Sequence, residues 1–321
     1  MGDGMKMFGK GFSQALIETT TNPFVGLFIG ILATSIIQSS SSTTSMVVAM
    51  VAGGAFGTDP VQSIELAIPL IMGANIGTSI TNTIASLPQI RRDNEFKRAF
   101  AAATVHDFFN ILSVIVLFPL QLATNFLGYL ATEMEHVFQG VGGLNFLSPV
   151  KLITKPAAEF LETSLAVFSE SEQVIAWLIV ILALVFLFTS LKFMVDTLKS
   201  MVIDKAKALF DKVLFKNALR AFGVGVLLTI LVQSSSITTS LVVPMAGAGL
   251  LTLVQIFPYT VGSNIGTTIT AILAALVTGN VAAVTLELLF GSHLSGFQLG
   301  LRNYSRNILL KVKLFQWLML L

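Results

Sequence analysis

QSSSSTTS, from Gln38 to Ser45, returns as QSSSITTS from Gln233 to Ser240, identical at seven of eight places and offset by 195 residues. Each copy lies inside a long run without a single charge, Thr19 to Thr58 for the first and Ala221 to Leu286 for the second. Hydroxyls and an amide placed twice in apolar surroundings cost free energy unless they meet partners, and the repetition points to a bound polar ligand. As helix at ~1.5 Å per residue, the second run would be roughly three bilayer cores long, so it must fold back on itself. The arms Pro23 to Ile37 and Ser41 to Gly53 are each short of the ~20 residues a straight crossing needs. The QSSS strings therefore sit at breaks between half-length helices. Such backbone is tolerated at membrane depth only when it is buried in protein or lines a polar cavity. Transporters place substrates at these breaks, where free amides attract anions and freed carbonyls hold cations.

Composition agrees. With 54% hydrophobic and 11% charged residues, the 321-residue chain is expected to be an all-α polytopic membrane protein in contact with a lipid bilayer. A formal net charge of +2 offers no footprint for nucleic acid. The absence of cysteine removes disulfides, thiolate metal sites and thiol nucleophiles from consideration, and no transition metal or organic cofactor is expected. Asp3, Lys6, Lys10 and Glu18 interrupt the amino terminus, so no apolar signal core is read there.

The duplication reaches beyond the octapeptides. Asn22, Gly30 and Thr34 recur as Asn217, Gly225 and Thr229, and GANIGTSIT from Gly73 to Thr81 recurs as GSNIGTTIT from Gly262 to Thr270, with Pro69 matched to Pro258. The second offset is 189, six fewer than the first, which places a deletion in a connecting loop. Each half reads as broken helix, QSSS, helix, loop, then a Gly- and Asn-interrupted helix. The expected organisation is a first repeat over 1–130, an acidic linker over 131–174, a second repeat over 175–290 and an atypical tail over 291–321. Basic residues crowd Arg91 to Arg98 and Lys199 to Arg220, and the positive-inside rule puts them in the cytoplasm with the acidic linker outside. Charges alone leave inverted and parallel repeats both open. Asp196 to Lys216 reads as an interfacial amphipathic helix.

On both QSSS strings, both NIGT strings and RAFAAATVHDFFN from Arg98 to Asn110, the chain resembles the sodium-dependent phosphate cotransporter family, called type II in animals and present in bacteria. The resemblance covers roughly Phe8 to Phe290. It implies a multi-pass protein of the inner cell membrane, with two inverted repeats, a helical hairpin in each, and broken helices meeting at a central site. It also implies inward phosphate transport driven by sodium, with inorganic phosphate and sodium as the small partners. Homo-oligomerisation stays open.

Residue chemistry suits those ligands. The hydroxyls of Ser39, Ser40, Ser41, Ser234, Ser235 and Ser236, with nearby amides, are neutral donors for phosphate oxygens, able to hold the anion and release it. A buried Arg clamp would bind more tightly, and the QSSS regions contain none. Sodium, a hard cation, wants oxygen, and Gln38, Asn75, Thr78, Thr81 and Asn264 supply amide and hydroxyl oxygens at the breaks. Carried over from the resemblance, the sodium ligands are Gln233, Ser234, Ser263, Thr267, Thr270 and Asn110. Asp107 opens a 25-residue uncharged run and is a functional candidate by its position. The resemblance implies that members with Asp at this place bind one more sodium and move net charge, whereas members with Gly are electroneutral. Electrogenic transport is therefore expected.

The other readings are a carrier of sulfate or a dicarboxylate, a channel, and an intramembrane serine hydrolase. The last is weak because His106 and Asp107, adjacent on one helix, point about 100° apart, and no GxSxG elbow occurs. His106 is expected to satisfy a local hydrogen bond, and Arg91, Arg92, Lys97 and Arg98 to form a topogenic loop. Where the first half has HDFFN, the second has Glu287 to Gly291 without His, Asp or Asn, so the closing helix of the second repeat is expected to be altered or missing.

Overall fold

The structure, a computed structural model, describes residues 9–57, 59–130, 173–183 and 217–278, with isolated positions between 133 and 215. Every regular element among the described residues is helical. In chain order the α-helices are α1 (Gly9–Thr20), α2 (Pro23–Ile37), α3 (Ser40–Ala52), α4 (Pro60–Gly77), α5 (Ser79–Ser86), α6 (Asp93–Thr124), α7 (Ala218–Val232), α8 (Ser235–Gly247) and α9 (Leu253–Thr278), with a short 3-10 helix over Leu87–Gln89 after α5. A further short apolar helix covers Gln173–Ala183. The linker over 131–174, the Asp196 to Lys216 segment, Glu287 to Gly291 and the tail lie wholly or largely outside the described residues.

Local chemistry sets the helix starts. Asn22 caps α2 through the amide of Phe24 at 3.0 Å, with Pro23 in the first turn where its missing N–H is not needed. Its repeat partner Asn217 caps α7 through the amide of Arg220 at 2.8 Å. The recurrence of Asn at these two places is thus a capping requirement.

Helix α2 shows how the chain divides lipid from protein. Phe24, Phe28, Leu32 and Ile36, four residues apart, form an exposed apolar stripe. Gly26, Gly30 and Thr34 on the other face are buried. A Cβ added to Gly30 would overlap the Leu70 carbonyl oxygen of α4, and one added to Gly73 would overlap the Leu27 carbonyl oxygen of α2. The second half repeats the arrangement between α7 and α9, where Gly225 meets the Tyr259 carbonyl and Gly262 meets that of Phe222. Small residues permit this backbone-to-backbone approach, which in a membrane replaces the hydrophobic drive that lipid does not supply.

The Gly-Asn-Ile-Gly strings are accordingly packing surfaces, and the interruption expected at both is realised only slightly in the first half. There α4 gives way to α5 at Thr78, whose backbone remains right-handed helical (φ −60°, ψ −26°). In the second half α9 runs unbroken from Leu253 to Thr278 through the string. The glycines serve closeness to a neighbour, and no conformation forbidden to other residues is required of them.

Among the described residues, two stretches are long and apolar enough to cross a bilayer, Pro60–Gln89 with 30 residues and Asp93–Thr124 with 32. Helices α1 and α2 meet at a bend of 100° and together have the composition of a third. The helices that follow the QSSS strings, α3 and α8, are interior. Helix α3 packs on α4 and on α9 of the other half, α8 packs on α6 and α5 of the first half, and α3 and α8 touch each other.

Candidate functional site

The two breaks share one geometry. Gln38 ends α2 in the left-handed region (φ 59°, ψ 25°), and Gln233 ends α7 in the same region (φ 55°, ψ 25°). They are two of only three non-glycine residues with positive φ among the described residues, the third being Asn125. Each turns its own amide back on the preceding helix, Gln38 Nε2 to the Ser35 carbonyl and Gln233 Nε2 to the Ile230 carbonyl. That bond uses the N–H and leaves the side-chain oxygen as an acceptor. Ser39 and Ser234 then adopt extended backbone and cap α3 and α8, accepting from the amides of Ser42 at 3.3 Å and Ile237 at 3.4 Å. The first amides of each helix, those of Ser40, Ser41, Ser235 and Ser236, have no intrahelical acceptor by the geometry of a helix start. All four of these serines are buried, as is Ser234. No hydrogen bond joins the serines of one string to those of the other among the described residues. The two groups are related through the contact of α3 with α8.

Asp107 lies on α6 and is 8% exposed. Its Oδ2 accepts from Thr83 Oγ1 at 3.3 Å, while its Oδ1 has no hydrogen-bond partner. No Lys or Arg pairs with it among the described residues, and the nearest ring nitrogen, His106 Nδ1, is 3.9 Å from Oδ1. A buried carboxylate in this condition needs a cation or a proton to offset its lost hydration. On α5, the helix that supplies Thr83, Ser79 Oγ, Thr81 Oγ1 and Asn82 Nδ2 are also buried without hydrogen-bond partners.

His106, 2% exposed, faces Asn264 of the second NIGT string and Asn110 of its own helix. Its Nε2 lies 2.7 Å from Asn264 Oδ1, and its Nδ1 lies 3.2 Å from Asn110 Nδ2. Asn264 Nδ2 donates to Asn110 Oδ1 at 2.9 Å, and Asn110 Nδ2 donates to the Asn75 carbonyl at 3.0 Å. Neither nitrogen meets a serine, so no Ser-His pair of a hydrolase exists around this ring. Asn75 itself donates to the Ile71 carbonyl at 3.0 Å, and Thr78 and Thr267, matched between the halves, donate to the carbonyls of Ala74 at 3.3 Å and Ser263 at 3.2 Å. The backbone of Thr270 lies in α9; its side chain is outside the description.

Several residues enter that sequence reasoning did not single out as site residues. Thr229 and Thr238 form a hydroxyl triangle with the expected ligand Ser263, with edges of 2.8, 2.7 and 2.8 Å, tying α7, α8 and α9 together. Thr229 carried a signal as the partner of Thr34, and Thr238 lies within the second octapeptide. Asn82 Oδ1 accepts from Thr239 Oγ1 at 2.7 Å across the halves. Its repeat position is Ala271, so duplication gave no hint of it. Arg98, expected in a topogenic loop, sits on α6 and donates through Nε and Nη2 to the Gly247 carbonyl at 2.9 and 2.7 Å, closing the end of α8. Lys97 also lies on α6, where it pairs with Asp93 at 2.9 Å, and Arg92, just before the helix, pairs with Glu95 at 3.1 Å.

The triangle has no counterpart in the first half. Ala74 stands where Ser263 is found, and Thr34 Oγ1 is buried without a partner. Ala74→Ser should therefore supply a hydroxyl beside Thr34 and raise stability by about 1 kcal/mol, read as a higher Tm in detergent.

Uncharged apolar faces outside and a polar interior built from two matched helix breaks define a polytopic membrane protein of the transporter class. A family model described as Na+/Pi-cotransporter matches residues 1–146 and 163–316. The chain belongs to the Na+/Pi-cotransporter family, a family of transporters and not of enzymes. It is similar to sodium-dependent phosphate transport protein 2B of Homo sapiens, 33% identical over 370 residues that cover 89% of this chain and 52% of that protein. It is likewise similar to sodium-dependent phosphate transport protein 2A of Rattus norvegicus, 34% identical over 338 residues, covering 85% of the chain and 52% of the relative. The chain thus spans about half the length of the curated relatives it matches. No solved structure matches it.

Proposed function

We propose that this chain couples inward movement of inorganic phosphate to the sodium gradient across the inner cell membrane, by alternating access and with net charge transfer. The duplicated break is the observation that carries the reading. Two helix starts of the same geometry, each with a left-handed Gln, a capping Ser and free amides in buried surroundings, are suited to an oxyanion held by neutral donors. Ser39, Ser40, Ser41, Ser234, Ser235 and Ser236 bind phosphate in this reading. Sodium is held by oxygens drawn from Gln38, Asn75, Thr78, Thr81, Asp107, Asn110, Gln233, Ser263, Asn264, Thr267 and Thr270. The halves act as inverted repeats, a reading supported by the reciprocal packing of α3 on α9 and of α8 on α5.

Purified chain in proteoliposomes is expected to accumulate radiolabelled phosphate with sodium outside and not with potassium. Arsenate should compete strongly and sulfate weakly. Equal uptake in both salts, or unitary currents without accumulation, would reject the coupled carrier, and strong competition by sulfate or a dicarboxylate would reassign the anion.

A further inference from the structure

We propose that His106 is a positioning residue, held as the neutral tautomer with its proton on Nε2, which sets the amide orientation of Asn264 and Asn110. The inference rests on the sodium reading above, in which both asparagines contribute oxygen. The starting point is a group that cannot be turned round. The main-chain carbonyl of Asn75 is only an acceptor, so the Asn110 atom 3.0 Å from it must be Nδ2. The second N–H of that same amide faces His106 Nδ1 at 3.2 Å, which must then be the unprotonated nitrogen. The proton of a neutral imidazole is left on Nε2 and donates to Asn264 at 2.7 Å, so the Asn264 atom there must be Oδ1. Asn264 Nδ2 in turn donates to Asn110 Oδ1 at 2.9 Å and closes the ring.

Each member donates once and accepts once around the circle, and the direction of every bond follows from one peptide carbonyl. The alternative tautomer would aim an Nδ1 proton at the Asn110 amine. Asp107 offers it no better home, since 3.9 Å is beyond hydrogen-bond reach. The ring commits one lone pair of Asn110 Oδ1 and one of Asn264 Oδ1 and thereby fixes the orientation of both amides across the two halves. Asn75 and Asn264 are the matched asparagines of the two NIGT strings, so His106 and Asn110, four residues apart on α6, bind the two copies into one arrangement. No hydrogen bond joins His106 to a serine of the QSSS strings among the described residues, so its effect is assigned to the cation.

The test separates donor from acceptor. His106→Gln keeps an amide donor near the Nε2 position, whereas His106→Asn keeps only an acceptor near Nδ1. In sodium-dependent uptake by proteoliposomes, His106→Asn and His106→Leu are expected to raise the half-saturating sodium concentration about tenfold, the equivalent of one lost hydrogen bond. The half-saturating phosphate concentration at saturating sodium should stay unchanged, and His106→Gln should restore most of the sodium affinity. Unchanged sodium dependence in His106→Asn, or a parallel loss for sodium and phosphate in all three variants, would overturn the assignment. A second measurement needs no His106 variant. With His136 and His293 replaced by Gln, the remaining imidazole should give nitrogen-15 signals of a protonated Nε2 and a bare Nδ1, and a protonated Nδ1 would overturn it. If the unaltered chain shows no sodium-dependent uptake, the transport reading fails, while the nitrogen signals still decide whether the ring exists.

Discussion

Asp107→Gly should abolish the charge moved with each phosphate while leaving sodium-dependent uptake in place. The carboxylate is buried, holds one hydroxyl through Oδ2, and has neither a hydrogen bond to Oδ1 nor a basic side chain to offset it among the described residues. Leaving a buried charge uncompensated costs several kcal/mol, and a bound sodium removes that cost. Without the carboxylate the site loses the reason to hold that ion. One elementary charge crossing the membrane is worth ~2.3 kcal/mol per 100 mV, so the unaltered chain should respond steeply to an imposed potential. Asp107→Asn keeps an oxygen for Thr83 and should lose the response in the same way, which separates charge from shape. Uptake into vesicles at potassium diffusion potentials of both signs gives the measurement. If uptake by the unaltered chain ignores the potential, Asp107 does not bring a transported ion.

Gly30→Val and Gly225→Val are each expected to prevent a stable fold. At both positions an added Cβ would overlap a main-chain carbonyl oxygen, that of Leu70 or that of Tyr259, which cannot move without parting two helices. Overpacking against a flexible side chain costs ~1–3 kcal/mol, and here the obstruction is backbone, so the cost lies at or above the top of that range. Such a loss is a large part of the stability of an ordinary domain. Gly223 supplies the control on the same helix α7, with nothing within 4 Å of an added Cβ, and Gly223→Ala should be neutral or stabilising. Monodispersity on size exclusion and Tm in detergent distinguish the cases. A Gly225→Val protein as stable as Gly223→Ala would show that α7 and α9 are not bound through this contact.

The breaks were legible because they are local and occur twice. A run of hydroxyls between Ile36 and Met46 has few explanations, and the bounds Pro23 to Ile37 expected for the first arm are those found for α2. Gln as the left-handed residue was not legible, because that place is usually taken by Gly and nothing in the string marks Gln38 as a turn. Reading NIGT as an interruption failed for α9 because glycine has two uses in a helix, bending it and letting a neighbour come close, and sequence does not say which. Gly262 and Gly266 serve the second. Contacts between the halves were the least visible. Asn82 and Thr239 are 157 residues apart and Arg98 and Gly247 are 149 apart, so no periodic pattern links them. Of the candidate ligands, Asn110 is hydrogen-bonded to both Asn75 and Asn264, with His106 bridging Asn110 and Asn264, while the helices that carry the two serine strings touch each other.

The clasp of Arg98 on Gly247 gives α8 an unbalanced electrostatic field. A helix carries roughly half an elementary charge of each sign at its ends, so its pull on an anion at the start is opposed by the repulsion from its own tail. Here a guanidinium sits on that tail, about 20 Å from Ser235 for a helix of 13 residues, and masks its negative end. At the end of helix α3 the Gly53 amide donates to main-chain carbonyls, and no Arg or Lys hydrogen bond to that end is found among the described residues. Two starts with nearly the same local shape therefore present different potentials, and a negative guest between them would be drawn toward the α8 side.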